Sequence, residues 1–150
     1  MDTKLLALFG HWCNADAIRV FVHADLPKDE CDVDLQEELS RLGAFSSSLS
    51  RLSVWYSLLY VVIEGYQELN HVDADIDTLL KQREYVDYLR IFRNATFHYQ
   101  KDPLTEKARA FLCAKDSEIW IRSLNRAFDR FFLANLPIKE QIDAVKTKRP

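Results

Sequence analysis

The sequence predicts an all-α fold, an antiparallel bundle of four to five helices, on three observations. Only three glycines and four prolines occur among the 150 residues, so few positions favour tight turns. Residues that form helices readily, such as leucine, alanine and arginine, are abundant. Apolar residues recur at the helical period over long segments. A chain of this length buries roughly two thirds of its unfolded surface, so we expect one domain over residues 1–136 and a charged tail over residues 137–150.

Four segments with helical periodicity follow one another along the chain. The first covers about residues 3–24 and leads into the stretch ADLPKDECDVD, whose proline and acids predict an exposed connector. The second covers about residues 34–70. Its serine-rich part, AFSSSLSRLS, favours close packing of helices over nucleophilic catalysis, because no histidine or lysine lies one turn away. Its apolar run over residues 54–63 is shorter than the roughly 20 residues of a membrane span and predicts a buried helix.

The third segment covers about residues 75–101 and opens with DADIDTLL, whose acids suit the N-terminus of a helix. The fourth covers about residues 104–135, between two prolines. Apolar side chains on one side of this fourth segment predict its core face: Leu124, Phe128, Phe131 and Phe132.

Charge is unevenly distributed between the two halves of the chain. Residues 1–80 contain five Lys and Arg against fourteen Asp and Glu, whereas residues 81–150 contain fifteen against nine. The C-terminal half is therefore the side expected to face an anion. Three arginines recur there at i, i+4 spacing: Arg122, Arg126 and Arg130. They predict a row of solvent-exposed charges or, alternatively, the binding surface of a regulator that binds nucleotides or nucleic acid.

The cysteines and the chain start bear on location and metal binding. Cys13, Cys31 and Cys113 lie far apart and form no Cys-x-x-Cys pair, so they predict neither a zinc site nor a disulfide framework. The first residues do not resemble a secretory signal. We therefore expect a reduced, cytoplasmic protein with no membrane association, metal or cofactor. Three histidines without an obvious partner are expected at surface or packing positions: His11, His23 and His71.

The stretch LRIFRNATFHYQKDP, residues 89–103, is the part of the sequence that suggests a reaction. It brings a cation, an amide and an imidazole into six residues: Arg93, Asn94 and His98. At about 100° per residue, five side chains form one stripe that predicts the core face: Tyr85, Leu89, Phe92, Thr96 and Tyr99. Arg93 and His98 lie on either side of this stripe, roughly 140° apart, so one helix has difficulty bringing both to one phosphate.

Two apolar side chains outside the core stripe, Ile91 and Phe97, lie beside this polar cluster. Apolar groups without an internal partner usually mark an interface. We therefore expect a homodimer in which two copies of the face pack together and interleave their arginines and histidines.

The sequence RNATFH at residues 93–98 resembles the motif of HEPN (higher eukaryotes and prokaryotes nucleotide-binding) domains. In that motif an arginine is followed by a polar residue, often asparagine, and four to six residues separate the arginine from a histidine. The resemblance in architecture covers about residues 1–136. It implies a metal-independent endoribonuclease that acts as a homodimer in toxin–antitoxin or antiviral defence systems. In such an enzyme Arg93 would bind the scissile phosphate, His98 would transfer a proton, and Asn94 would orient one of them.

The resemblance also implies RNA as the substrate and a cognate antitoxin protein as a further partner. Three residues that flank the motif are assigned to RNA binding: Arg90, Tyr99 and Lys101. The chain departs from the branch of the family whose motif has a tyrosine two residues after the histidine, since Gln100 occupies that position. Neutralisation by modification of that tyrosine is therefore not expected here.

A structural explanation of the same residues stays open. Arg93 pairs in that case with an acid of a neighbouring helix, and His98 caps its own helix, where the helix dipole favours a cation. Glu64 is either a buried partner of an arginine of the motif or only a charge near a helix end. The chain would then be a catalytically silent helical adaptor that binds a protein partner through this face.

Overall fold

The computed structural model describes residues 2–22, 37–102, 105–114 and 116–138 and confirms the all-α prediction. Within these ranges there are six helices and no strand: α1 Thr3–Phe21, α2 Glu37–Glu68, α3 Ala74–Leu80, α4 Arg83–Phe97, α5 Glu106–Cys113 and α6 Ser117–Asn135. The predicted connector lies wholly outside the described residues, as do Pro103 and the tail from residue 139 onward. No helix of the described part is long and apolar enough to cross a membrane.

Two of the four predicted segments are each divided into two helices. The third divides at Lys81 and Gln82, where Lys81 ends α3 and Gln82 precedes α4 with non-helical backbone angles. The fourth divides at Ala114, whose backbone is extended. Neither glycine nor proline marks these breaks, so the sequence pattern continues through them.

Side chains cap the N-termini of three helices, α1, α3 and α5. Asp2 accepts hydrogen bonds from the backbone N–H groups of Lys4 and Leu5 and so caps α1. Asp73 does the same for α3, which confirms that the acids there mark a helix N-terminus. The hydroxyl of Thr105 caps α5.

Helix α2 is the central element of the bundle. Residues of its apolar run are buried as expected: Trp55, Tyr56, Leu59, Val62 and Ile63. Leu8 of α1 approaches Gly65 of α2, whereas the carbonyl of Phe21, at the end of α1, accepts a hydrogen bond from Arg51, which lies earlier on α2, so the two helices are antiparallel. Helix α4 is also antiparallel to α2. Thr96 of α4 contacts Ser57, whereas Arg93, which precedes Thr96 on α4, contacts Glu64, which follows Ser57 on α2.

Ser57 lies where α2 packs against α4. It is fully buried, its hydroxyl lies 2.6 Å from the carbonyl of Ser53, and it hydrogen bonds to Thr96 of α4 at 2.9 Å. A larger side chain there would separate the two helices. Ser57 lies just after the serine-rich stretch AFSSSLSRLS, whose own serines are exposed or partly buried, so the packing role predicted for that stretch stays a prediction.

Helix α6 closes the core with the face predicted from its apolar residues. Leu124, Phe128, Phe131 and Phe132 are all buried. Tyr66 of α2 packs edge-on against Phe128 and Phe131, with ring centroids 5.7 and 5.5 Å away. The three predicted arginines are exposed on the other side of α6.

Candidate active site at the end of helix α4

Arg93 lies near the last turn of α4 and is held by two residues of α2. Its Nη2 donates a hydrogen bond to Glu64 Oε1 over 2.9 Å, and its guanidinium lies over the ring of Tyr60, 5.5 Å from the centroid. The side chains of Arg93 and Glu64 are 29% and 43% exposed. The structure therefore shows that Glu64 is the partner of the motif arginine and not only a charge near a helix end.

The guanidinium of Arg93 keeps donors beyond those that Glu64 uses. A guanidinium has five N–H groups, and Nε of Arg93 has no acceptor among the described residues. Since Nε is buried, the outer nitrogens are the ones that lie nearest to a ligand at the surface. A cation that is fixed and only partly neutralised can hold an anionic oxygen.

Tyr60 is the member of this group that the sequence prediction did not include. It lies one turn before Glu64 on α2, so both side chains share one face of that helix. Burial, followed by the charge of Glu64, raises the pKa of its hydroxyl. The i, i+4 spacing of Tyr60 and Glu64 places both on one face of α2, but only the packing of α2 against α4 shows that this face lies at Arg93.

His98 lies immediately after the helix and not within it. Helix α4 ends at Phe97, and His98 has extended backbone angles of φ −132° and ψ 143° while its N–H donates to the carbonyl of Asn94 over 3.0 Å. Its imidazole is exposed. The helical angle between Arg93 and His98 therefore does not hold, because the backbone leaves the helix between them.

Tyr99 was predicted on the core face, and this prediction is wrong. It follows the end of α4, where helical periodicity no longer applies, and its side chain is 92% exposed. The other members of the predicted stripe point inward: Leu89 and Phe92 are fully buried, and Tyr85 and Thr96 are partly buried. An exposed tyrosine beside the imidazole is free to stack on another molecule.

The remaining residues assigned to the site surround its polar centre. Asn94 is half-buried, and its side-chain amide forms no hydrogen bond within the described part of the chain. Lys101 is exposed, and Arg90 is exposed with its Nη2 3.3 Å from Asp87. No hydrogen bond joins Arg93 to His98 in the described residues, so the structure places the two at one helix end without linking them.

The two apolar residues expected at a dimer interface differ in exposure. Phe97 is 52% exposed, as the prediction requires. Ile91 is half-buried and packs against the core, so its expected position outside the core face is wrong. The exposed apolar surface here therefore consists of Phe97 and the ring of Tyr99.

The other residues considered for chemistry lie elsewhere. His11 is exposed, and His71 packs between the rings of Tyr66 and Phe131, as expected for surface and packing roles. Cys13 and Cys113 are exposed thiols. His23 and Cys31 lie outside the described residues. Over the described ranges, no group of three or more His, Cys, Asp or Glu side chains is arranged to hold a metal ion.

Comparisons with known proteins do not add to this description of the site. No family model, curated protein or solved structure matches the chain.

Proposed function

We propose that this chain is a metal-independent endoribonuclease of the HEPN type that acts as a homodimer and serves as a toxin or an effector of antiviral defence. The observation that carries the proposal is the placement of three side chains at one end of α4. Arg93 is fixed there by Glu64 and Tyr60, while His98 and Tyr99 are exposed just beyond it. A fixed cation and an exposed imidazole at the same helix end can supply charge stabilisation and proton transfer to the cleavage of a phosphodiester.

The proposed reaction uses the 2′-hydroxyl of RNA as the nucleophile. Its oxygen attacks the adjacent phosphorus, the bond from phosphorus to the 5′ oxygen breaks, and a 2′,3′-cyclic phosphate forms. One imidazole accepts the proton of the 2′-hydroxyl, and a protonated imidazole gives a proton to the departing 5′ oxygen. Imidazole suits both steps because it exchanges its proton near neutral pH.

Arg93 stabilises the charge that develops on the phosphoryl oxygens in this scheme. A guanidinium stays charged at any working pH and offers paired N–H groups that match a phosphate. The contact with Glu64 fixes its position before the substrate arrives, which lowers the reorganisation needed in the transition state. Asn94 orients the phosphate or the imidazole through its unpaired amide.

Dimerisation supplies the second imidazole that the scheme needs. Phe97 exposes half of its surface next to these polar groups, and an exposed apolar ring of this kind is stabilised by contact with another copy. Two α4 ends packed through Phe97 would place both histidines along one cleft. Arg90, Tyr99 and Lys101 would then bind the RNA strand on either side of the cleaved bond.

A second candidate function is a silent helical adaptor, and two observations favour it. The ion pair of Arg93 with Glu64 and the position of His98 as the residue after the helix are what a structural role for both residues predicts. The adaptor uses the same exposed Phe97 to bind a protein partner. It differs from the nuclease in leaving RNA intact.

Cleavage of a defined RNA oligonucleotide in the presence of EDTA tests the nuclease proposal. We expect cleavage to continue in EDTA, to yield 2′,3′-cyclic phosphate ends, and to stop at any position that carries a single 2′-deoxyribose, because the attacking hydroxyl is then missing. Loss of cleavage in EDTA, or cleavage at the deoxyribose position, contradicts the proposed reaction. Intact RNA under all conditions, together with a stable dimer, supports the adaptor.

A further inference from the structure

A small polar cleft lies between α1 and α6 and contains no residue of the candidate active site. Its volume is about 200 Å³. Seven residues line it, all from those two helices: Trp12, Asp16, Arg19, Arg122, Asn125, Arg126 and Asp129. The cleft is smaller than the roughly 300–1,000 Å³ of sites for drug-sized ligands, so a ligand that fits it is small.

Some of the charged groups around the cleft are already paired. Asp16 accepts from Nε of Arg19 over 2.7 Å, and Arg122 pairs with Glu118 at 2.6 Å. Two charged groups of the lining, Arg126 and Asp129, form no ion pair or hydrogen bond within the described residues. They lie three positions apart on one face of α6. The guanidinium of Arg126 and the carboxylate of Asp129 therefore line the cleft about one helical turn apart.

Two buried polar atoms in the wall of the cleft also lack partners. The Nδ2 of Asn125 donates to Asp16 Oδ1 over 3.0 Å, and because a carboxylate only accepts, this contact fixes the orientation of the amide. Its Oδ1 is then an unpaired acceptor, and Nε1 of Trp12 is an unpaired donor. The two residues are only 5% and 9% exposed. Buried polar groups are nearly always hydrogen-bonded, so this pair indicates that a further molecule completes the site.

We propose that the cleft binds a small zwitterion of the α-amino acid type. The ligand carboxylate pairs with Arg126 and its ammonium group pairs with Asp129, which matches the one free cation and one free anion of the described lining. This binding is independent of the proposed nuclease reaction.

Calorimetric titration of the full chain with individual α-amino acids tests this proposal. At least one of them should bind with a Kd below ~1 mM. Its methyl ester, which lacks the carboxylate, and its N-acetyl derivative, which lacks the ammonium group, should both bind much more weakly. Arg126→Gln and Asp129→Asn should each weaken binding by about 10- to 100-fold, since each removes a hydrogen bond between charged groups.

Arg130→Gln is the matched control, because Arg130 lies on the same helix but pairs with Asp75 outside the cleft. It should leave binding unchanged, and all three variants should keep the helicity of the parent because the altered side chains are not in the core. Three results overturn the proposal: no amino acid binds, the two cleft variants bind like the parent, or inorganic phosphate binds equally well and Asp129→Asn has no effect. The last result would make the cleft a simple anion site.

Discussion

The ion pair between Arg93 and Glu64 allows a quantitative prediction. Replacing Glu64 by glutamine and Arg93 by methionine, singly and together, isolates the coupling between the two side chains. Fully exposed ion pairs contribute about 0.2–1 kcal/mol, whereas two charges 4 Å apart near a protein surface attract by roughly 4 kcal/mol before desolvation is counted. With exposures of 29% and 43% and a contact of 2.9 Å, this pair lies between these cases. We expect a coupling energy of about 1–2 kcal/mol.

Urea unfolding followed by circular dichroism measures this coupling, and thermal unfolding of the same variants gives a second readout. Removing either partner should lower the melting temperature by about 2–4 °C per kcal/mol lost, as expected for a chain of this size. The pair of Arg90 with Asp87 on the same helix is the control, since its side chains are 51% and 63% exposed and its contact is 3.3 Å. Its coupling should not exceed about 0.5 kcal/mol. A coupling for Arg93 and Glu64 no larger than this control would refute the claim that Glu64 fixes the guanidinium.

Three further predictions concern the dimer, the core and the helices. Phe97→Glu should shift sedimentation toward the monomer with helicity unchanged, whereas Ile119→Glu, at another exposed apolar position, should leave the dimer intact. Burial raises the pKa of Tyr56 to about 12. This value is above the pKa of about 10 in the unfolded chain, so the protonated hydroxyl contributes its full stabilisation below pH ~10 and loses it as the pH rises towards 12. In urea titrations at increasing pH, Tyr56→Phe should therefore lose less stability than the parent. Gly10→Ala has open space around its new methyl group and should stabilise α1 by about 1 kcal/mol in thermal unfolding. The control Gly65→Ala would place a carbon 2.6 Å from a core leucine and should give no such gain.

The sequence predicted the helical class and the core of α2 and α6 well, for a physical reason. Periodicity indicates which side chains a helix buries, and amphipathic segments such as the one that forms α6 leave little ambiguity. Helix boundaries depend on backbone angles and capping, which the pattern reports poorly. The end of α4 shows the consequence, because Tyr99 has the correct spacing for the core face but follows a helix that has already ended at Phe97.

The candidate site was predicted only in part from sequence. Arg93, Asn94 and His98 are close in the chain, so a local motif is enough to find them. Their supports come from α2, almost thirty residues earlier for Glu64, and which residue of α2 faces Arg93 depends on how the two helices pack. Sequence alone therefore left the role of Glu64 undecided and did not identify Tyr60.

The measurement that tests the central claim most directly is the rate of RNA cleavage in EDTA by the parent, by His98→Ala and by His11→Ala. Both histidines are exposed, so neither substitution should disturb the core, and only His98 lies at the end of α4. We expect His98→Ala to lower the rate by about 10²–10⁴-fold, the usual contribution of general acid–base catalysis, with the dimer intact and His11→Ala as active as the parent. If the His98→Ala protein cleaves as fast as the parent, the end of α4 is not the site of an RNA cleavage reaction.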